Sequence, residues 1–213
     1  MTILILQAFL LFVYSYSLSA FNVQYRRIGI EDIEHVAELI TDAFVPSWSW
    51  VPQRLYFKME QMKLLSDRFQ KFSQQNHLMQ CALLESKVVA YVEVGMSGFP
   101  EINKDSSDAL LQELRAKKQL PLIGNLVVEK RYRRLGIGRE LMNQAEQIAH
   151  YDWKFQHILC GVDPKNKNAI TLYENLRYKE QSIDIKPNKY TKRILLSKEL
   201  VFSEVNSEIS NNQ

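Results

Sequence analysis

The chain has 213 residues, more than one typical domain of ~150 residues and fewer than two. Hydrophobic residues make up 46% and charged residues 24%, and the low content of Gly and Pro excludes collagen-like, low-complexity and wholly disordered chains. The 27 basic and 24 acidic side chains leave a formal net charge of +3, too small to indicate a nucleic-acid partner. Two cysteines cannot build a disulfide framework, and no metal-site spacing occurs, so no metal is expected.

The first 20 residues differ from the rest because they contain no charged side chain and 15 of them are apolar. The apolar run from Ile3 to Tyr14 is shorter than the ~20 residues that span a bilayer, which favours the core of a signal peptide. Small residues up to Ala20 offer a cleavage site before Phe21. We therefore predict a signal or targeting segment over residues 1–20, one globular domain over 21–200 and a flexible tail over 201–213. A buried first element of the domain is the alternative for residues 1–20.

The junction Ser17-Leu18-Ser19-Ala20-Phe21 resembles the Ala-Ser-Ala-Phe type of bipartite plastid presequence in diatoms and related algae. This resemblance implies import into a plastid, with the secretory pathway as the alternative. Contact with a membrane is expected only through this segment, and only if it stays uncleaved.

The apolar spacing after residue 21 predicts secondary-structure elements in the following order. In the first half, a strand over Asn22–Ile28 is followed by a helix from Glu31 that ends at Val45-Pro46 and by an aromatic connection at Trp48, Trp50 and Pro52. A helix over Leu55–Phe72 then precedes a hairpin of the strands Leu78–Leu84 and Val88–Met96, which turns at Glu85, Ser86 and Lys87.

An insertion-like segment, Gly98 to Lys118, follows the hairpin. It predicts a short helix over Asp108–Lys117 capped by Ser106 or Ser107, and we expect the segment to be a lid or a surface decoration. The remaining predicted elements are strands over Leu122–Val128, Ile158–Val162, Tyr178–Ile185 and Arg193–Leu196, and helices over Gly136–His150 and Asn166–Leu176. Strands that alternate with helices predict an α/β (α+β) fold with a mixed sheet and helices on both faces.

The main functional signal is the basic turn that joins the strand ending at Val128 to the helix start at Gly136. The first amides of a helix have no partner within it and lie at the positive end of its dipole, so they bind phosphate. Gly136 and Gly138 allow a phosphate to approach the backbone closely. Five cations surround the turn: Lys130, Arg131, Arg133, Arg134 and Arg139. The turn predicts a site for a phosphorylated ligand, the alternative being tight packing beside a solvated basic face. Neither the triple-glycine dinucleotide pattern nor the P-loop pattern occurs.

Two sequence blocks resemble the GNAT superfamily of N-acetyltransferases. Arg133-Arg134-Leu135-Gly136-Ile137-Gly138 is similar to its (Gln/Arg)-x-x-Gly-x-(Gly/Ala) signature, and residues 166–178 are similar to its Asn-x-x-Ala-x-x-Leu-Tyr-x-x-x-Gly-(Phe/Tyr) block. The resemblance covers about Asn22 to Leu200. It implies a GNAT-like mixed, mostly antiparallel twisted sheet of about seven strands flanked by helices and splayed at strands 4 and 5. The stretch from Leu120 to Leu126 is similar to cyanobacterial and plastid-type members, which include protein N-terminal and lysine acetyltransferases.

The resemblance also implies a cofactor and site residues. Acetyl-CoA is expected as co-substrate, and the backbone of Leu126, Val127 and Val128 is expected to bind its pantetheine arm as a neighbouring strand would. The pyrophosphate-binding residues implied are Arg133, Arg134, Leu135, Gly136, Ile137, Gly138 and Arg139. Asn166 contacts the cofactor near its acetyl end or caps its helix. Tyr173 is the implied catalytic acid for the leaving thiolate, although a tyrosine on such a helix more often serves core packing.

The implied activity is acetyl-CoA-dependent transfer of an acetyl group directly to a primary amine, with a protein N-terminus or lysine as the leading acceptor. A small amine, such as a polyamine or amino sugar, is the enzymatic alternative. A non-catalytic acyl-CoA-binding regulatory module is a third possibility, because Gly161 stands where protein N-terminal acetyltransferases of the family often have a glutamate. Glu93 or a water wire could replace that base. Arg177 stands where the family has a helix-ending glycine, at a cost of ~1 kcal/mol.

Overall fold

The computed structural model describes residues 22–71, 76–98, 108–181 and 193–201. These described residues divide into two compact units, the first formed by those up to Met96 and from Leu122 to Gln147, and the second by those from Ser97 to Pro121 and from Ile148 onward. The predicted targeting segment, residues 202–213 of the predicted tail, and the predicted caps Ser106 and Ser107 lie outside the described residues. The single-domain boundaries stay a prediction.

The described elements follow the predicted order of strands and helices. They are β1 (Gln24–Arg27), α1 (Ile33–Phe44), α2 (Val51–Lys71), β2 (Leu78–Leu84), β3 (Lys87–Gly98), α3 (Ala109–Lys117), β4 (Gln119–Val128), α4 (Ile137–Gln147), β5 (His157–Val162), α5 (Lys167–Asn175), β6 (Lys179–Gln181) and β7 (Ile194–Glu199). Short 3-10 turns cover Ile30–Asp32 and Lys130–Tyr132, and a π-helical turn covers Ile148–Asp152.

The first unit contains β1, β2 and most of β3 and β4, and these strands follow one another in the sheet in chain order. β2 pairs antiparallel with both β1 and β3. Glu85 and Ser86, which join β2 to β3, have φ values of 49° and 67°, so both take the left-handed conformation that matches the twist of a two-residue hairpin. The predicted tight turn is therefore confirmed.

The core of the first unit lies between the helices α1 and α2 and the sheet. Apolar residues of α1 recur every three or four positions, so one stripe of the helix is buried while its polar face meets solvent. The buried cluster consists of Ile28, Ile33, Val36, Ala37, Leu39, Ile40, Leu65, Met79, Cys81, Leu83, Val88, Tyr91 and Val127. Val127 belongs to this cluster, so the face of β4 that carries Val127 packs against the core.

In the second unit, β7 pairs antiparallel with β5 on one side and with β6 on the other. The insertion helix α3 is packed into this unit rather than forming a surface decoration, because Leu110 and Leu114 are buried. Glu113 adds polar contacts, accepting a hydrogen bond from the Gln156 amide at 2.8 Å and lying 2.7 Å from Nδ1 of His157. These contacts also argue against α3 as a freely moving lid.

Several boundaries differ from the predicted ones for local reasons. α2 begins at Val51 rather than Leu55, because Pro52 fits the first turn of a helix, where no amide partner is lost. Asp108 caps α3, since its side chain accepts a hydrogen bond from the Leu110 amide. α4 ends at Gln147, and the residues up to His150 belong to the π-helical turn that follows. β4 begins at Gln119, three residues earlier than expected.

The predicted fold class is confirmed: the protein is a mixed α/β structure with a mostly antiparallel sheet of seven strands flanked by helices. The predicted splay between strands 4 and 5 stays a prediction, since β5 and the part of β4 from Leu122 onward belong to different units. None of the helices in the described ranges combines the length and hydrophobicity that a bilayer span requires.

Candidate functional site

The basic turn between β4 and α4 places a helix start beside exposed cations. Arg134 has a φ of 66° and Gly136 a φ of 82°, so the backbone bends twice in the left-handed region before α4 begins at Ile137. The first intrahelical hydrogen bond joins the Glu140 amide to the Gly136 carbonyl at 3.0 Å. The amides of the first turn, from Ile137 to Arg139, therefore precede any carbonyl partner within the helix. This arrangement is suited to binding an anion.

The five predicted cations differ in what they contact. Arg131 hydrogen bonds through two nitrogens to Glu129, at 2.8 and 2.6 Å, and is therefore committed to that carboxylate. Burial raises the pKa of Glu129, but the hydrogen bonds from Arg131 and Lys87 outweigh it, so the pKa lies below its ordinary value. Arg133 donates from Nε to the Val128 carbonyl at 2.9 Å, which ties the turn to the end of β4. The side chains of Arg133, Arg134 and Arg139 are exposed.

The three predicted pantetheine-binding residues occupy the last positions of β4. Val127 is buried in the core, whereas Leu126 and Val128 are half-buried, as the alternation of a strand requires. The structure thus orients the Val127 side chain away from the face to which Leu126 and Val128 belong. Pairing of their backbone with a ligand stays a prediction.

A buried carboxylate lies next to this end of β4. Glu93 of β3 has a side chain that is 8% exposed and lies between partners from three other segments. Nη1 of Arg68, on α2, donates to both carboxylate oxygens at 3.0 and 2.8 Å, and Nε2 of His77 lies 3.1 Å from Oε1. Nδ2 of Asn125, on β4, donates to Oε2 at 2.9 Å. The hydroxyl of Tyr91 reaches Oε2 at 3.4 Å.

These contacts hold Glu93 as a charged carboxylate in one orientation. They argue against the role of general base, for which the sequence made Glu93 a candidate. Burial raises the pKa of Glu93, but the hydrogen bond from His77, the charge of Arg68 and the hydrogen bond from Asn125 outweigh it and lower the pKa below its ordinary value. A general base works best with a pKa near the operating pH and with an oxygen facing its substrate. Glu93 meets neither condition, because its oxygens already accept hydrogen bonds from several donors.

The second sequence block forms α5 and its two ends in the second unit. Asn166 is the N-cap of α5, and its Oδ1 accepts a hydrogen bond from the Ala169 amide at 3.1 Å. Of the two roles expected for Asn166, the cap is confirmed and the cofactor contact stays a prediction. At the other end, the Tyr178 amide donates to the Tyr173 carbonyl and the Arg177 amide to the Glu174 carbonyl, both at 2.9 Å. This pattern is a Schellman motif.

Arg177 occupies the left-handed position of that motif, with a φ of 67°. The left-handed helix end that the sequence resemblance implies is therefore present with arginine in place of glycine. Arginine adopts this conformation with strain, because its Cβ crowds the following carbonyl. This strained residue is exposed to solvent.

Tyr173, the predicted acid, is a buried phenol. Its side chain is 6% exposed and its ring lies 5.7 Å from that of Tyr178. Burial, and to a smaller extent the nearby Cys160, raise the pKa of Tyr173, whereas the positive charge of Arg193 opposes the rise. The phenol therefore stays protonated at neutral pH and can donate a hydrogen bond. The influence of Arg193, which directly precedes strand β7, could not be predicted from the sequence pattern.

Gly161 stands on β5 at the position where the sequence lacks a glutamate. A Cβ added there would meet Cδ of Arg193 at 3.6 Å, an ordinary van der Waals distance, so the position has room for a Cβ. Its neighbour Cys160 is fully buried and faces the core, as expected from the alternation of the strand. Among the residues that the structure describes, no group of three or more His, Cys, Asp or Glu side chains is arranged to hold a metal ion.

Comparison with known proteins gives matches by sequence family and by fold. The sequence model of the acetyltransferase (GNAT) family matches residues 34–178. Among solved structures, the PaiA N-acetyltransferase of Thermoplasma acidophilum in complex with coenzyme A is 18% identical with a TM-score of 0.59, covering 84% of this chain and 99% of that one.

Two further solved structures show the same likeness in fold. The ribosomal-protein-alanine N-acetyltransferase of Brucella melitensis is 16% identical with a TM-score of 0.57, covering 83% of this chain and 99% of that one. An N-acetyltransferase of Staphylococcus aureus is 14% identical with a TM-score of 0.58, covering 84% and 99%. No curated protein matches the chain in a sequence search.

Proposed function

The chain belongs to the acetyltransferase (GNAT) family, and on that premise we propose that it transfers the acetyl group of acetyl-CoA directly to a primary amine. The observation that carries the proposal is the turn from Arg133 to Arg139, where two left-handed residues lead into a helix start beside exposed arginines. A helix N-terminus with nearby guanidinium groups matches the charge and hydrogen-bonding needs of a pyrophosphate. Acetyl-CoA is the co-substrate of this family, and the Thermoplasma relative of the same fold was solved with coenzyme A.

The roles proposed for the turn and the strand follow from what each group contacts. Arg134 and Arg139 are exposed and supply positive charge, and Arg133 adds to it while bonding the Val128 carbonyl. The amides of Ile137, Gly138 and Arg139 supply hydrogen-bond donors at the start of α4. Leu135 and Gly136 complete the turn, and the backbone of Leu126 to Val128 is proposed to pair with the amides of the pantetheine arm.

Tyr173 is proposed to assist the departure of the thiolate. Its raised pKa keeps the phenol protonated, so the hydroxyl is available as a donor throughout the neutral range. A thiol has an ordinary pKa of about 8.5 and a phenol of about 10, so complete proton transfer from Tyr173 to the thiolate is uphill by more than ~2 kcal/mol. A hydrogen bond that strengthens as the negative charge develops stabilises the transition state without that transfer.

The acceptor that fits this chain best is a protein N-terminal α-amine. Gly161 supplies no carboxylate, and Glu93 is occupied by its own donors, so neither residue removes a proton from the amine. An α-amine has an ordinary pKa of about 7.7–8.0 and a lysine of about 10.4, so at about pH 7 the neutral fraction of the α-amine is roughly 300 times larger. An acceptor that arrives neutral needs no base before it attacks the thioester, and the proton that its nitrogen carries after the attack is proposed to leave to water as the C–S bond breaks. The same reasoning disfavours lysine and polyamines.

Release of CoA from acetyl-CoA by the full-length chain tests the proposed function. The acceptors are peptides with a free N-terminus and no lysine, the same peptides acetylated at the N-terminus and carrying one lysine, and a polyamine and an amino sugar. We expect release with the first group, rising with pH through the pKa of the α-amine. Release with the lysine peptides or small amines alone would overturn the choice of acceptor. Binding of acetyl-CoA without release for any amine would instead support a non-catalytic module.

For the compartment we propose import into a plastid through residues 1–20, supported by the junction before Phe21. Fusion of residues 1–40 to a fluorescent protein in an algal host tests this proposal. Fluorescence in the plastid would support it, and fluorescence retained in the secretory pathway would favour the alternative.

A further inference from the structure

We propose that Glu93 and Asn125 form a positioning pair, which fixes the backbone of β4 immediately before Leu126, Val127 and Val128. The bond that defines the pair joins Nδ2 of Asn125 to Oε2 of Glu93 at 2.9 Å. The effect of the pair on turnover rests on the proposed function, whereas its effect on the backbone of β4 does not.

The first argument is the backbone conformation of Asn125. This residue lies within β4 yet has a φ of 53°, so the strand contains one left-handed residue directly before the three residues proposed to bind the pantetheine arm. Gly124 adopts no left-handed conformation, although glycine takes it at no steric cost. Asparagine tolerates the left-handed region better than most residues, because its short amide forms local hydrogen bonds. The bend in β4 therefore occurs at Asn125, whose side chain forms a hydrogen bond, and not at the neighbouring glycine.

The second argument is the rigidity of the partner. Glu93 is held within β3, where it lies opposite Met79 of β2. Arg68 of α2 donates to both of its oxygens, and His77 contacts Oε1, so contacts from two further segments fix the carboxylate. A buried carboxylate with several donors does not rotate freely, since each lost hydrogen bond would leave a buried polar group unsatisfied.

The third argument is the position of the following residues. Val127 is anchored in the core of the first unit at 4% exposure. Asn125 and Val127 therefore fix β4 on both sides of Leu126, one by a hydrogen bond and the other by packing. The amide groups of Leu126 and Val128 are held in one orientation before any ligand arrives. Such preorganised donors contribute to catalysis because they need no rearrangement when charge develops.

The variant Asn125→Asp tests the pair. It keeps the size of the side chain and the tolerance for a positive φ, but it replaces the donor with a second carboxylate facing Glu93. We expect a fall in kcat of at least about tenfold with acetyl-CoA and a peptide acceptor, because a misplaced donor acts mainly in the transition state. We also expect the Glu129 amide, which follows Val128 and donates to the Val89 carbonyl of β3 at 2.8 Å, to exchange at least about tenfold faster when followed by NMR.

Three further variants complete the design. Gly124→Ala is the matched control in β4, because an added Cβ meets nothing within 4 Å. The double variant Glu93→Gln with Asn125→Asp restores a donor opposite an acceptor with the two groups exchanged, and it should recover part of the lost exchange protection and turnover. Asn125→Gly, which keeps the backbone conformation without the side chain, replaces Asn125→Asp if that variant does not fold.

The readouts separate this inference from the proposed function. Faster exchange in Asn125→Asp, with rescue in the double variant, supports the pair whether or not acetyl transfer is found. Exchange and kcat that match the Gly124→Ala control would overturn the pair, even when the wild-type chain is an active acetyltransferase. A wild-type chain that neither binds nor consumes acetyl-CoA would overturn the proposed function alone.

Discussion

The two sequence blocks that identified the family differ sharply in their surroundings. The turn from Arg133 to Arg139 is exposed, positively charged and made of backbone bends that present amides at a helix start. The block around Tyr173 is instead a helix whose key side chain is 6% exposed and uncharged. The first arrangement suits the binding of a solvated phosphate, and the second suits control over a proton.

This difference follows from the physics of each task. Charges near the surface attract a phosphate and release it again, because water screens the interaction. A phenol must instead be removed from water if its pKa is to stay above its ordinary value. Variants of the first block should therefore change affinity, and variants of the second should change turnover.

The largest effect is expected for Tyr173→Phe. Removal of the hydroxyl should lower kcat about 100-fold, while the dissociation constant of acetyl-CoA changes less than about threefold. Since burial raises the pKa of Tyr173, the wild-type kcat should show no alkaline decline from this group below pH ~10. Steady-state kinetics across pH and calorimetric titration with acetyl-CoA provide the two measurements.

Tyr178→Phe is the matched control for this variant, because Tyr178 is also buried and its ring contacts that of Tyr173. It should retain kcat within about threefold of the wild type. Equal losses in the two variants would assign both rings to packing, and wild-type turnover in Tyr173→Phe would show that Tyr173 is not the hydrogen-bond donor to the thiolate.

A second, smaller effect is expected when Arg133 and Arg134 are both replaced by alanine. Loss of two guanidinium groups should weaken acetyl-CoA binding by about 10- to 30-fold and flatten its dependence on salt concentration. Arg131→Ala should change affinity less than about threefold, because Arg131 already pairs with Glu129. If the double alanine variant lowered kcat while its affinity for acetyl-CoA stayed constant, the turn would act in turnover rather than in binding, and the two blocks would not differ as proposed.

The smallest effect is expected for Arg177→Gly, which should raise the free energy of unfolding. Glycine adopts a φ of 67° without strain, so we expect a gain of about 1 kcal/mol, measured by urea unfolding. Arg177→Ala removes the same long side chain but keeps the Cβ, so it should show little or no gain. A gain of equal size in Arg177→Ala would trace the effect to the side chain rather than to the backbone.

The sequence predicted the features that depend on local chemistry. The hairpin turn at Glu85 and Ser86, the helix start after Gly136 and the strained end at Arg177 all follow from residue types at fixed spacing, and the structure shows each of them. The cap at Asp108 and the early start of α2 at Val51 were missed, because neighbouring residues offered equally good local signals.

The network around Glu93 could not be predicted, because its members are distant in sequence. Arg68, His77 and Asn125 lie 25, 16 and 32 positions away from Glu93, and each has an ordinary solvated role on its own. From the sequence alone, Glu93 was therefore a candidate general base. The hydrogen bonds in the structure instead indicate a fixed carboxylate.

The amino-acid sequence by itself determined the family, the order of the elements and the basic turn, because these are written in contiguous residues whose spacing sets helix, strand and turn. The tertiary structure alone decided the state of the titratable groups. Burial and partners from other elements set the pKa of Glu93 below and that of Tyr173 above their ordinary values. Desolvation and hydrogen bonding act through space, so the residues that control a proton need not be neighbours in the chain.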